Sequence, residues 1–268
     1  MTAIALTIAG SDSGGGAGIQ ADLKAFSALG AYGASVITAI TAQNTRGVSA
    51  VEDISATMIA AQMDAVFSDL DINAIKIGMV SRIDTILTLS AKLREQPQPV
   101  VLDPVMVATS GDRLLQEGAI ETLRTELLPQ ATLATPNLPE AALLTGTAIA
   151  KDRDAMLKQA ELIVKLGARA VLIKGGHGGG EESVDLLFDG QAVQEFAMPR
   201  IETKNDHGTG CTLAAAITAH LALGLSLVDA VGLAKDYLQG ALAAGRDLHV
   251  GSGSGHGPVH HFYRWWPA

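Results

Sequence analysis

The segment His207-Gly208-Thr209-Gly210-Cys211-Thr212 stands immediately before a helical pattern. Successive glycines let a backbone turn with its N–H groups pointing one way, and a helix start adds unpaired N–H groups and the positive end of a dipole. Gly208, Thr209 and Gly210 can therefore build an anion hole for a phosphoryl group in transit. Cys211 falls in the first helical turn, where a thiol pKa tends to drop, and there it can take a proton from a substrate hydroxyl. The same residues also suit a tight loop followed by a helix with a buried structural cysteine.

Other segments offer chemistry of the same kind, each beside a plainer reading. Gly10-Ser11-Asp12-Ser13-Gly14-Gly15-Gly16-Ala17-Gly18 follows a strand pattern and opens a helix, but it lacks the Gly-Lys-Ser/Thr of a P-loop and the G-x-G-x-x-G of a dinucleotide site. It suits a flexible substrate loop, or a turn for close packing. Asp22, one turn into the next helix, can bond a ligand hydroxyl or amine, or lie on the surface. Asp103 ends the apolar run Val100-Val101-Leu102 and can orient Mg²⁺ directly or through water. Asn137 and Glu140 make a capping box, and as a site Glu140 would hold water on Mg²⁺–ATP. Lys174, before Gly175-Gly176-His177, can meet nucleotide phosphates as a point charge. Gln43 offers a donor and an acceptor together, which suits a heteroaromatic ring with an amino group.

Strand and helix patterns alternate around these segments. Residues 3–9, 35–42, 74–79, 99–105, 132–135 and 170–174 read as strands. Ile19, Leu23 and Phe26 mark one helical face; Ser55 can cap a helix carrying Ile59, Met63 and Val66; Ser81 can start another, with Asp84 three positions on. Helices are also expected over 119–127, after Asn137, and over 154–166, 212–223 and 227–244. Residues 183–188 and 191–196 flank Asp189-Gly190, a hairpin signal. Repeated βα units imply an α/β fold with a mostly parallel sheet covered by helices on both faces. Ligands of such sheets bind at the carboxyl ends of the strands, where nearly all the segments above fall.

The bulk properties narrow the partners. The 268 residues suit one large α/β domain, and hydrophobic residues at 48% permit a sizeable core. Aromatics are only 4%, so that core must be aliphatic. A net charge of −9 argues against nucleic acid as a partner. A single cysteine rules out a disulfide within the chain. No apolar run approaches a membrane span, and no basic region precedes the first apolar stretch, so the expected location is cytoplasmic.

Residues 10–24 read GSDSGGGAGIQADLK, 41–45 TAQNT, 76–79 KIGM, 135–141 TPNLPEA, 174–177 KGGH, 204–217 KNDHGTGCTLAAAI and 257–262 GPVHHF. This ordered set resembles the hydroxymethylpyrimidine/phosphomethylpyrimidine kinases of the ribokinase-like superfamily, and it spans essentially the whole chain. The resemblance implies a three-layer αβα sandwich over 1–268 as a single kinase domain. It implies transfer of the γ-phosphoryl of Mg-ATP to 4-amino-5-hydroxymethyl-2-methylpyrimidine and then to its monophosphate. It places the pyrimidine near Gln43, with Gly10, Asp22, Met79 and Val105 around it. It places ATP and Mg²⁺ near Asp103, Asn137, Glu140, Lys174 and Thr209, with Cys211 in the place where many relatives of the superfamily carry aspartate. Asp206 stands where many members have threonine and adds negative charge beside the anion hole. The resemblance also implies a homodimer. Pyridoxal as the acceptor, or a pyrimidine-binding sensor without catalysis, are the competing readings. The loop 11–18, together with residues 108–113, is expected to close over the substrate.

Overall fold

The computed structural model describes residues 2–106, 118–177 and 180–268, so the expected lid segment 108–113 lies outside the described residues. One nine-stranded sheet runs through the chain in the order β3-β2-β1-β4-β5-β6-β7-β8-β9. The strands are β1 (Ile4–Asp12), β2 (Tyr32–Asn44), β3 (Gly47–Asp53), β4 (Ala74–Ile77), β5 (Val100–Leu102), β6 (Leu133–Ala134), β7 (Val171–Ile173), β8 (Glu182–Phe188) and β9 (Val193–Pro199). From β2 to β7 every pairing is parallel. The edges are antiparallel: β3 on β2, and the β8–β9 hairpin on β7.

The strand period of two sorts side chains between two cores. Leu6, Ile8, Ile75, Ile77, Val100, Leu102, Val171 and Ile173 face one side. There they meet α2 (Ala56–Phe67), α3 (Ile83–Leu93), α5 (Leu138–Thr145) and α6 (Arg153–Lys165). Ala5, Ala74, Val101, Leu133 and Leu172 face the other side, against α1 (Gly18–Ala28), α7 (Thr209–Ala222) and α8 (Leu227–Gly245). The result is a three-layer αβα sandwich. Its second face is built from small residues, with Ala214, Ala215, Ala216 and Ala219 of α7 fully buried. Phe26 and Tyr237 are buried aromatics there, among Leu133, Leu172, Leu213 and Ile217, so the core is largely aliphatic.

Two local expectations are corrected, and one strand is added. Ser81 does not start α3; its hydroxyl donates to Asp53 Oδ1 at 2.5 Å, and Arg82 is the N-terminal flanking residue. The helix over 119–127 is α-helical only over α4 (Ala119–Thr122) and widens to a π turn over Leu123–Leu127 before Pro129 ends it. Strand β3 went unread because it is an exposed edge strand, without the buried alternation that marks the others.

Candidate active site

Past the carboxyl ends of the parallel strands the chain encloses a cavity of about 930 Å³. Ser11 and Asp12 reach it from β1, Gln43 from β2, Lys76 and Met79 from β4, and Asp103 and Val105 from β5. Asn137 and Glu140 follow β6, and Lys174 follows β7. Gly10, Gly208, Thr209, Gly210 and Cys211 complete this wall. Of the residues singled out from the sequence as site residues, Asp22 alone is not in the lining.

The anion-hole loop is held by backbone contact. Gly208 has φ +79° and is the residue before α7, whose first turn has no side-chain cap. A Cβ at Gly208 would meet the carbonyl oxygen of Gly16 at 1.9 Å, so the two glycine-rich loops touch backbone to backbone. A Cβ at Gly210 would lie 3.2 Å from Lys174 Nζ and 3.8 Å from Asp103 Oδ2. Gly210 thus sits beside a lysine and a carboxylate with no side chain of its own between them.

Lys174 Nζ donates to Asp103 Oδ1 at 2.7 Å, and the Thr135 hydroxyl donates to the same oxygen at 3.1 Å. Burial works against the Lys174 charge, but Asp103 and Glu140 outweigh it and hold the ammonium protonated. Asn137 and Glu140 form the expected capping box, with Asn137 N–H on Glu140 Oε2 and Glu140 N–H on Asn137 Oδ1. Burial pushes the Glu140 carboxyl up to about 7; Lys174 opposes and Asp103 adds to the shift. Among the described residues no group of three or more His, Cys, Asp or Glu could cage a metal. A hard cation shared with phosphate needs only one or two carboxylates, and the buried oxygens of Asp103 and Glu140 are donors of that kind.

Two expectations change here. Asp22 is buried completely, and both its oxygens bond Lys76 Nζ at 2.9 and 2.8 Å while the Thr7 hydroxyl donates to Oδ2 at 2.6 Å. Burial pushes the Asp22 carboxyl up and Lys76 pulls it back; three donor contacts on two oxygens are those of a carboxylate, and the pair is ionised. Asp22 therefore positions Lys76, and Lys76 is the one that reaches the cavity. The Cys211 thiol is not lowered by the helix start: burial pushes it up to about 11, against the pull of Lys76. Cys211 is only half-buried and lines the cavity, yet the protein packed around it disfavours the thiolate enough to outweigh the helix dipole.

Asp12 was not assigned a role from the sequence. It is buried, and its carboxylate accepts the N–H groups of Gly14, Gly16 and Ala17 at 2.8, 3.0 and 2.8 Å, which shapes the whole loop. The Asp-x-Gly spacing is the available signal, because an aspartate bonds the N–H two residues on in an Asx turn. Lys76 had a signal as well: a lysine inside the apolar strand Ala74-Ile75-Lys76-Ile77 needs a buried partner. At the other end of the cavity Asp185 accepts the Gly175 N–H at 2.8 Å and Lys235 Nζ at 2.6 Å, beside Arg200, Leu238 and Leu242. The cavity lining is thus partly apolar, with lysines and arginines interleaved among carboxylates.

Residues 12–260 match the phosphomethylpyrimidine kinase family. The chain belongs to that family. The hydroxymethylpyrimidine/phosphomethylpyrimidine kinase of Rhizobium meliloti (strain 1021) is 64% identical over 266 residues, covering 99% of each chain. The crystal structure of phosphomethylpyrimidine kinase from Clostridium difficile 630 shares 48% identity, with a TM-score of 0.80 over 89% of this chain and 99% of that one. Pyridoxal kinase from Staphylococcus aureus, in complex with AMP-PCP and pyridoxal, shares 34% identity and a TM-score of 0.89 over 100% of this chain and 96% of that one. Like its family, this chain is a phosphotransferase with the ribokinase-like fold. Among the described residues no helix is long and apolar enough to cross a membrane.

Proposed function

We propose that this enzyme uses ATP to phosphorylate the hydroxymethyl group of 4-amino-5-hydroxymethyl-2-methylpyrimidine, and then phosphorylates that monophosphate to the diphosphate, within thiamine biosynthesis. One observation carries the reading. A single cavity holds an amide-bearing side chain, Gln43, on one wall and the Gly208–Gly210 anion hole with Lys174 on another.

Gln43 pairs with the aminopyrimidine edge, and Gly10, Met79 and Val105 line the ring's surroundings. Asp22 acts at one remove, through Lys76. The hydroxymethyl oxygen attacks the γ-phosphorus, the bond to the ADP oxygen breaks, and the hydroxyl proton leaves. The transition state is loose, so positioning and charge stabilisation carry most of the rate. The backbone N–H groups of Gly208 to Cys211 and the Lys174 ammonium take up the charge on the transferring group. Asn137, Glu140, Thr209 and Lys174 hold the nucleotide side, and Asp103 and Glu140 would hold Mg²⁺, which would supply neutralisation of phosphate charge. Cys211 accepts the proton only in its thiolate fraction, which its raised pKa keeps small.

Residues 1–268 act as one kinase domain, supported by the single continuous sheet. The enzyme works in the cytoplasm, where its nucleotide is available, and as a homodimer. The β2–β3 ribbon supports the dimer, with apolar Ile40 and Val51, 52% and 47% exposed, on its two faces. Pyridoxal as acceptor is the second reading, favoured by the likeness to the S. aureus enzyme over the whole chain. A sensor without catalysis has no use for the uncapped loop beside Lys174 and Asp103.

The test is ADP release from Mg-ATP with the hydroxymethylpyrimidine and pyridoxal offered separately. Strong pyrimidine-dependent turnover is the expected result. Turnover on pyridoxal alone replaces the substrate, and binding without turnover replaces the enzyme by a sensor.

A further inference from the structure

Gln43 sits between two side chains that decide which end of its amide donates. The Thr41 hydroxyl lies 2.8 Å from the carbonyl oxygen of Ser11, which can only accept, so its one proton is committed there. Toward Gln43, 3.2 Å away, Thr41 Oγ1 therefore offers a lone pair. On the other side His207 Nε2 lies 2.9 Å from Asp12 Oδ2. Burial raises the Asp12 carboxyl, but the bonds from His207, Ala17 and Gly14 outweigh it and keep it a carboxylate. A carboxylate only accepts, so His207 Nε2 carries the proton. That N–H also lies 3.3 Å from the Gln43 amide. An amide nitrogen facing it would set donor against donor, with oxygen against oxygen at Thr41. A half-turn of the amide resolves both: Nε2 donates to Thr41, and Oε1 takes the weaker share of a three-centre bond from the His207 N–H, whose main acceptor is Asp12.

We propose that His207 is a positioning residue that fixes the polarity of Gln43 and thereby the direction in which the pyrimidine enters. This rests on the substrate reading above. With the amide so held, its remaining N–H lies on the Thr41 side and its remaining lone pair on the His207 side. An aminopyrimidine presents a ring nitrogen, then the amino group, then the hydroxymethyl carbon along one edge. Its acceptor nitrogen must face the Thr41 side and its amino group the His207 side. The hydroxymethyl group, next beyond the amino group, then points toward His207-Gly208-Thr209-Gly210-Cys211, where the phosphoryl group is transferred. Asp12 ties the same histidine to the loop 12–18, so substrate direction, loop shape and anion hole share one network.

The 4-oxo analogue of the substrate tests this, because it reverses the pattern: a ring N–H and an accepting oxygen. It pairs with Gln43 only when turned over, with its hydroxymethyl on the Thr41 side. The expected result is an analogue that competes with the aminopyrimidine yet has kcat/KM lower by about 100-fold or more. In His207→Phe only Thr41 still orients the amide, and the amino/oxo ratio of kcat/KM is expected to shrink at least about tenfold, whatever the absolute rate. His207→Gln restores an N–H donor and is expected to recover the discrimination. An unchanged ratio in folded His207→Phe overturns the inference and leaves the kinase reading intact. Absence of wild-type turnover on the aminopyrimidine overturns the substrate reading beneath it. Independently of any variant, ¹⁵N-histidine spectra of the unaltered enzyme near neutral pH should find the His207 proton on Nε2; an unprotonated Nε2 overturns the inference.

Discussion

Cys211 is the only cysteine, so its chemistry can be read without interference. A thiol pushed up to about 11 from 9.0 carries about 100-fold less thiolate at pH 7.5. Alkylation by iodoacetamide should therefore be slower than for a free thiol by about that factor, and should rise with pH through 9 and 10. Labelling as fast as a free thiol would mean that the thiolate is stabilised after all. Cys211→Ala should lower kcat by about 100-fold, the low end for a general base, with a smaller change in KM. At this scale much of the site was legible: Gln43, Asp103, Asn137, Glu140, Lys174 and the Gly208–Cys211 loop all line the cavity. Asp22 and the Cys211 pKa were misread for one reason. Both depend on which protein atoms surround the group, and spacing along a chain does not encode that.

Between elements, the Lys76–Asp22 pair joins β4 to α1 beneath the site. Both side chains are fully buried, so removing one partner strands a charge in the protein interior. Lys76→Met should destabilise the enzyme by about 3–5 kcal/mol in denaturant unfolding. Adding Asp22→Leu should recover most of this loss, because neither charge then remains. A double variant no better than the single one would show that the pair is not coupled. The strands and helices themselves followed from periodicity, since β5 and β7 are buried apolar runs, β4 is one but for Lys76, and the capping box at Asn137 is local. Strand β3 and the π turn did not, because edge pairing and helix pitch answer to packing.

Across the whole molecule, the open β2–β3 edge is the feature a second copy would cover. A sedimentation mass twice the 27.6 kDa of the chain is expected, shifting toward the single chain in Ile40→Asp with Val51→Asp. A wild-type monomer at micromolar concentration would overturn the dimer. The chain end also closes on the site: His256 N–H donates to the Thr45 carbonyl oxygen at 2.8 Å, and His256 Nδ1 lies 2.7 Å from Asp206 Oδ1. Asp206 thus has a histidine as its partner at the rim.

Periodicity, caps and turn chemistry are properties of neighbours along the chain, and they sufficed for the layered α/β architecture and for the loops at the strand ends. The ordered motifs sufficed for the family. Which residues face the ligand, and which only hold those that do, was settled by contacts across long separations. Lys76 meets Asp22 across 54 positions, and His207 meets Asp12 across 195 and Gln43 across 164. Burial, pKa and hydrogen-bond polarity arise from what folding brings together, so they belong to the tertiary structure alone.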